Sequence, residues 1–203
     1  MAVQTSNTEQ LIIAAARKHF SARGYSGVSL KDIAADAGTT KSMVNYYFRS
    51  KEKLFSFIFL TEFQLLFSSI AAYLQEDLPL KEKINKIVSL DVDKLLKMPE
   101  LPLFILSEMH RNPDLVLKHL AHIPIDHLLL QLDKQIRREV KQGIIRYIPP
   151  RELMINIQSL TIFPFLSKPM MTMRLGYTEK TFTALMLKRK QDIVDTIWKS
   201  IAV

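Results

Sequence analysis

The fold of this 203-residue chain is decided by residues Ser29 to Lys53, which read SLKDIAADAGTTKSMVNYYFRSKEK. Ser29 is a predicted N-cap, because its hydroxyl can accept a backbone N–H at the start of a helix. Asp32 follows in the first turn, where the helix dipole favours a negative charge. Gly38 stands where a left-handed residue ends a helix without steric cost. These signals predict a short helix that ends in a tight turn.

A second short helix is predicted after Thr40, whose hydroxyl can cap it. At about 100° per residue, Val44 and Phe48 share the inner face of this helix. Small alanines in the preceding helix allow the two helices to approach closely, as a helix-turn-helix requires. The opposite face and its flanks carry Ser42, Met43, Asn45, Tyr46 and Tyr47.

A third helix is predicted to begin after Ser50, which can cap it, with Lys51 in its first turn. A cation at a helix N-terminus is unfavourable because of the helix dipole. The misfit is explained if a phosphate group lies there, bound by the N–H groups and the lysine together. The alternative is a solvated lysine.

Four short runs of sequence fall in one register: Gly24-Tyr25, VSLKDIA at residues 28–34, Ala37-Gly38 and YYFRSKEKL at residues 46–54. In that register, which covers about residues 8 to 55, the chain resembles the TetR (tetracycline-repressor) family of bacterial regulators. The resemblance implies an all-α fold. It implies an N-terminal three-helix helix-turn-helix DNA-binding domain and a larger C-terminal helical domain for ligand binding and dimerisation.

The resemblance also implies contacts with an operator in double-stranded DNA. The second helix of the motif is expected in the major groove, with flanking side chains on the phosphates. The predicted DNA-binding residues are Ser29, Thr40, Lys41, Ser42, Met43, Asn45, Tyr46, Tyr47 and Lys51. Asn45 departs from the aromatic residue usual in the family, and an Asn side chain can instead read an adenine edge through N6 and N7.

The charge distribution favours an anionic partner. The net charge is +8, and residues 1–53 contain eight Lys and Arg against four Asp and Glu. A phosphate-binding face requires such a concentration of positive charge. The chain has no cysteine, which excludes disulfides and thiol switches and is compatible with a reducing cytoplasm. Its polar start lacks a signal-peptide pattern, so the chain is predicted to be cytoplasmic.

Residues 54–74 are conspicuously apolar and have the length of a membrane span. Thr61, Glu62 and Gln64 interrupt the run, which argues against a span because ionisable residues are costly in a bilayer. We predict a long helix buried on several sides, running from the DNA-reading helix into the rest of the molecule. Such a helix could act as a lever between the two parts.

All nine prolines fall at or after Pro79, and this shift in composition separates a small head from a larger body. The predicted domains are residues 1–53 and residues 54–203. The prolines punctuate segments of helical length. In the body we predict helices near residues 80–97, 101–111, 113–122, 125–142, 150–167 and 178–201.

Two helical segments of the body carry apolar stripes. One comprises Leu128, Leu129, Leu132, Ile136 and Val140, and the other comprises Phe182, Leu185, Met186, Ile193, Val194, Ile197, Trp198 and Ile201. Either stripe can be core. Together they resemble the helix pair through which the TetR family forms a homodimer as a four-helix bundle. A dimer also suits DNA, because two reading helices must meet half-sites about 34–36 Å apart, or a multiple of this.

The body is rich in Phe, Leu and Met, which more often fill a core than line a site. The resemblance nevertheless implies a small-molecule inducer cavity between central helices, and such cavities are mostly apolar with a few polar groups. The inducer is therefore expected to be apolar. The candidate ligand-binding residues are Phe67, Phe104, Met109 and His110.

Residue patterns for catalysis or for a cofactor are absent from the sequence, which has no Gly-rich phosphate loop and no supported Ser-His-Asp spacing. His119 and His122 are three residues apart, with His127 nearby, and imidazoles so placed could bind a metal. Asp126 is the nearest carboxylate that could complete the set. We predict no metal, no cofactor and no membrane association, and we interpret the histidines as surface or pocket residues.

The sequence therefore predicts a TetR-type transcriptional regulator, a repressor released from a palindromic operator by a small molecule. The alternative is a helical ligand-binding protein or enzyme in which the helix-turn-helix is only a packing motif. A further option is a regulator without a small-molecule ligand, controlled by a protein partner or by its own abundance.

Overall fold

The structure is a computed structural model that describes residues 7–111, 113–114 and 124–203; the side chains of residues 60, 62–69, 104, 108 and 111 are outside this description. Ten α-helices are described, with no strand among these residues. They are α1 (Asn7–Arg23), α2 (Leu30–Asp36), α3 (Lys41–Phe48), α4 (Lys51–Gln75), α5 (Leu80–Lys97), α6 (Leu101–Arg111), α7 (Ile125–Lys141), α8 (Pro150–Leu166), α9 (Lys168–Leu175) and α10 (Glu179–Ile201). The predicted all-α fold class is confirmed.

The helix bounds of the body follow the sequence prediction closely. Helices α5 and α6 have the predicted limits, and α7, α8 and α10 differ from prediction by one residue at an end. Helix α9 was not predicted, because Pro169 was read as a break between helices. Pro169 instead lies in the first turn of α9. A backbone N–H at this position would have no partner within the helix, so the proline costs no helical hydrogen bond. Most of the predicted helix at 113–122 lies outside the described residues.

The chain divides into two compact units. Of the described residues, those up to Gln64 and those between Leu103 and Ala121 form the N-terminal unit, and those from Leu65 to Pro102 and from His122 to Val203 form the C-terminal unit. Helix α4 contributes residues to both. In the part of the chain that the structure describes, no helix is long and apolar enough to cross a membrane.

An aromatic cluster forms the core of the N-terminal unit. Phe20 of α1 and Phe55 of α4 are fully buried, and their rings meet edge to face at 5.1 Å. Tyr25, in the loop after α1, completes the cluster at 5.0 Å from Phe55. Helix α1 packs on α2 and α3, so the same helix that carries Phe20 supports the helix-turn-helix.

The core of the C-terminal unit is built around α5, which packs along α10 and also contacts α8. The predicted apolar stripe of α10 faces inward, with Phe182, Met186 and Ile193 buried. Helix α7 packs on α8, and its stripe residues Leu132 and Ile136 are also buried. Both stripes therefore contribute to the core within one chain.

The N-terminus of α5 is capped by side chains from α7. Pro79 occupies the N-cap position and provides no side-chain hydrogen bond. Glu139 instead accepts the Leu80 N–H through Oε1 at 2.9 Å. Gln135 Nε2 donates to the Leu78 carbonyl and to Glu139 Oε1, both at 2.8 Å. Because each buried group finds a partner, the two helices are joined by polar contacts as well as by packing.

Candidate nucleic-acid interface and cavity

Local hydrogen bonds build the helix-turn-helix. The Asp32 N–H donates to Ser29 Oγ and the Ser29 N–H donates to Asp32 Oδ2, each at 3.2 Å, which makes a capping box at the start of α2. The pKa of Asp32 is lowered mainly by hydrogen bonding with the Ser29 side chain and, to a smaller extent, with the Ser29 backbone. Gly38 has φ +64°, and Thr40 Oγ1 accepts the Met43 N–H at 3.3 Å. The predicted caps of α2 and α3 are confirmed.

Helix α3 has a buried face and an exposed face, as its sequence predicts. Val44 and Phe48 are buried against the rest of the N-terminal unit. Tyr46 is 72% exposed, and its ring meets that of Tyr47 edge to face at 5.3 Å. The predicted DNA-binding residues outside the core are exposed or half-buried: Ser29, Thr40, Lys41, Ser42, Met43, Asn45, Tyr46, Tyr47 and Lys51. A single short helix thus carries most of the predicted reading residues outward.

The ion pairs of the N-terminal unit neutralise both acids of α2. Lys18 Nζ lies 3.0 Å from Asp36 Oδ2, and Arg23 lies 3.6 Å from Asp32. No ion pair among the described residues involves the cations from Lys31 onward in the same unit, which are Lys31, Lys41, Arg49, Lys51 and Lys53. The helix-turn-helix and the start of α4 therefore present five cations against one further acid, Glu52.

Lys51 lies in the first turn of α4, which is capped by Ser50 as predicted: Ser50 Oγ accepts the Lys53 N–H at 3.1 Å. The Lys51 Nζ stands 4.3 Å from the centroid of the Tyr25 ring. This cation–π contact orients the ammonium group and leaves its charge intact. A half-buried lysine is thus fixed beside the free N–H groups of a helix start, where an anion is favoured.

Arg49 is a candidate contact that the sequence analysis missed. It ends α3 with φ +66° and ψ −43°, and is the non-glycine residue with positive φ among those described. The Ser50 N–H closes a γ-turn onto the Phe48 carbonyl at 2.7 Å. Such a conformation costs about 1–3 kcal/mol and is enriched at functional sites. An exposed arginine at a strained corner between α3 and α4 is suited to reach a phosphate.

The C-terminal unit contains a cavity of about 440 Å³ between α4, α7 and α8. Aliphatic side chains form most of its wall: Ile70, Ala71, Leu74, Ile125, Leu128, Leu129, Met154 and Ile155. Among the described side chains, three polar ones also line it, those of Asp126, Arg151 and Gln158. This size and apolar character are typical of small-molecule sites.

The polar groups of the cavity differ in their surroundings. Arg151 and Asp126 pair with each other at 3.3 Å and are largely exposed, so they lie at its solvent edge. Gln158 is half-buried, and its Nε2 donates to Asp91 Oδ2 at 2.9 Å. Asp91 is 1% exposed, and its Oδ1 has no hydrogen-bond partner among the described residues. Burial raises the pKa of Asp91 to about 7, although the Gln158 hydrogen bond and the Lys94 charge act to lower it.

The structure places the predicted ligand residues elsewhere or leaves them undescribed. Met109 and His110 are exposed on α6 and do not line the cavity described above. The side chains of Phe67 and Phe104 lie outside the described residues, as do His119 and His122 of the candidate metal site. Groups of three potential metal-binding side chains are absent from the part of the chain that is described.

Comparison with known proteins identifies the N-terminal motif. The family described as "Bacterial regulatory proteins, tetR family" matches residues 12–57. The HTH-type transcriptional regulator RutR of Escherichia coli K12 is 26% identical over 156 residues, 77% of this chain and 73% of the relative. The HTH-type transcriptional repressor NicS of Pseudomonas putida is 32% identical over 108 residues, 53% of this chain and 50% of the relative.

The fold also resembles that of a solved structure. The crystal structure of the TetR-family transcriptional regulator PfmR from Thermus thermophilus superimposes with a TM-score of 0.66 at 20% identity, over 91% of this chain and 97% of that one. Family members are DNA-binding transcriptional regulators and are not enzymes. The matched residues include α2, α3 and the five unpaired cations described above. Residues 12–57 therefore form a DNA-binding domain of the tetR family of bacterial regulatory proteins, and the chain is a TetR-type transcriptional regulator.

Proposed function

We propose that this regulator is a dimeric repressor that binds a palindromic operator and releases it when a small, largely apolar molecule enters the cavity of the C-terminal unit. The relative NicS is a transcriptional repressor, and TetR-family regulators bind operators and act as dimers. On this proposal the protein acts in the cytoplasm, where bacterial DNA is accessible.

The unpaired cations of the N-terminal unit carry the proposal. The two acids of α2 form ion pairs with cations of α1. The cations from Lys31 to Lys53 are therefore not neutralised by these acids. Unneutralised cations around an exposed helix are what phosphate binding requires. We assign Lys41, Asn45 and Tyr46 to the major groove, and Ser29 and Lys51 to phosphates.

Lys51→Ala tests this assignment through the salt dependence of operator binding. A duplex selected from random sequences provides the operator, and a palindrome is expected because the dimer presents α3 twice. Loss of one phosphate contact should reduce the slope of log K against log salt by about one unit, with little change in sequence preference. The matched control is Lys141→Ala, which removes the same charge from the end of α7. Equal slopes for the two variants would show that Lys51 does not contact DNA.

An exposed apolar groove across α8, α9 and α10 is the proposed dimer face. Phe163 is 63% exposed, and Met170 and Leu175 are exposed beside it. The groove is lined by Ser159, Leu160, Phe163, Pro164, Ser167, Met170, Met171, Leu175, Leu185 and Arg189. A contiguous apolar patch of this kind marks an interaction surface. A second copy of the chain is the occupant that the dimeric family favours.

Phe163→Ala should weaken the dimer by about 2 kcal/mol, or about thirtyfold, because a large aromatic side chain at the centre of an interface carries much of its energy. Sedimentation over a concentration series measures the dissociation constant. Leu130→Ala, at an exposed leucine of α7, is the control and should leave the constant unchanged. If Leu130→Ala weakened the dimer and Phe163→Ala did not, the interface would lie on α7.

The cavity is the proposed inducer site. Ile70, Ala71 and Leu74 of α4 form part of its wall. The same helix begins at Lys51, which we assign to a phosphate. A molecule that favours one position of α4 over another changes operator affinity by the difference in its own affinity for the two states. The operator-binding assay used for the Lys51 variant also measures whether a cavity ligand lowers operator affinity.

A further inference from the structure

Gln158 is the half-buried polar side chain among the described residues that line the cavity. Arg151 and Asp126 are occupied by each other at the solvent edge, whereas the Gln158 side chain lies among aliphatic neighbours. Among the described residues, the Gln158 side chain forms one hydrogen bond, from Nε2 to Asp91 Oδ2. Its carbonyl oxygen Oε1 therefore has no described protein partner.

Asp91 fixes the orientation of that amide. Above about pH 7 the Asp91 carboxyl is ionised and can only accept hydrogen bonds, so the Gln158 NH₂ group faces it. The Oε1 atom must then point away from Asp91. Burial of Asp91 makes the reverse orientation costly, because two acceptor oxygens would face each other without water between them. The amide is thus held with its acceptor free.

We propose that the cavity binds a small, mostly apolar molecule through a hydrogen-bond donor on that molecule, an N–H or O–H group, which Gln158 Oε1 accepts and Asp91 positions from behind. This inference names the ligand class for the inducer site of the proposed function and rests on it. Molecules of the same shape that lack a donor leave Oε1 dehydrated and unpaired, and are rejected for that reason.

Indole and benzofuran are matched probes for this proposal, since they share one shape and differ in a ring N–H against a ring oxygen. Binding to the full-length protein is followed at pH 8 through the methyl signal of Met154, which lines the cavity. At this pH the Asp91 carboxyl is mostly ionised. We expect indole to bind about tenfold more tightly than benzofuran, because one unpaired buried acceptor costs that much.

Two variants assign the preference to its source. Gln158→Met removes the acceptor and should bring the ratio of the two affinities close to one. Asp91→Asn provides both a donor and an acceptor behind Gln158, so the amide is no longer held in one orientation and the ratio should fall below about threefold. A purely structural role for Asp91 would weaken both probes equally and leave the ratio at its wild-type value.

A wild-type ratio near one would overturn the proposal, as would a tenfold preference that persists in Gln158→Met. Failure of indole to shift the Met154 signal at millimolar concentration would also count against it. Operator binding without probe is measured in parallel and does not depend on these outcomes. A probe that binds with the expected preference but leaves the operator bound would instead contradict the proposed release mechanism.

Discussion

Phe20→Ala is expected to lower the free energy of unfolding of the N-terminal unit by about 3–5 kcal/mol, the usual cost of deleting a buried aromatic ring. Phe20 is fully buried, and its ring contacts those of Phe55 and Tyr25. The deletion removes the shared centre of α1, the following loop and α4. Operator affinity should fall in proportion to the fraction of molecules whose helix-turn-helix is folded.

Hydrogen exchange of the amides in α2 and α3 measures the loss directly, because their protection reports local opening. Leu11→Ala is the matched control: it lies on the same helix but is 49% exposed, so it should change stability by no more than about 0.5 kcal/mol. Equal protection in the two variants would contradict a core role for the aromatic cluster.

Asp91→Asn should make the protein more stable near pH 8, although it removes a hydrogen-bonded carboxyl group. The pKa of Asp91 is raised by burial from its ordinary value of 3.8 to about 7. Between these values the folded protein retains a proton that the unfolded chain has released, so stability falls as pH rises from 4 to 7. At 1.36 kcal/mol for each pKa unit, the loss is roughly 3–5 kcal/mol. Asn does not titrate and avoids this loss.

Urea unfolding at pH 5 and pH 8, followed by the fluorescence of Trp198, measures the effect. The difference in stability between the two pH values should be smaller in Asp91→Asn than in wild type by most of that amount. Asp93→Asn is the control, because Asp93 is on the same helix but is half exposed and paired with Lys190. If the stability of wild type and of Asp91→Asn changed equally between pH 5 and pH 8, burial would not raise the pKa of Asp91.

The sequence was sufficient for features that depend on near neighbours. The caps at Ser29, Thr40 and Ser50 each need a residue three positions away, and the inward face of α3 needs only its helical period. The resemblance of residues 8 to 55 was enough for the family because those positions agree in one register.

Features that depend on distant residues were not predictable. Asp91 interrupts the buried apolar stripe of α5, but Gln158 is 67 residues away and nothing in the sequence pairs the two. The stripe of α7 is compatible in sequence with core or interface, and the packing of α7 on α8 shows that it contributes to the core. The strained corner at Arg49 also escaped prediction, because an arginine with positive φ is disfavoured by local rules and is retained by its surroundings.

The cap that α7 provides for α5 has a consequence for synthesis on the ribosome. The backbone N–H of Leu80 finds its acceptor 59 residues later, at Glu139. Until that residue leaves the exit tunnel, the start of α5 has only water to satisfy it, and its apolar face still lacks α8 and α10. The nascent C-terminal unit therefore gains its native order late, after the helix-turn-helix has already been translated.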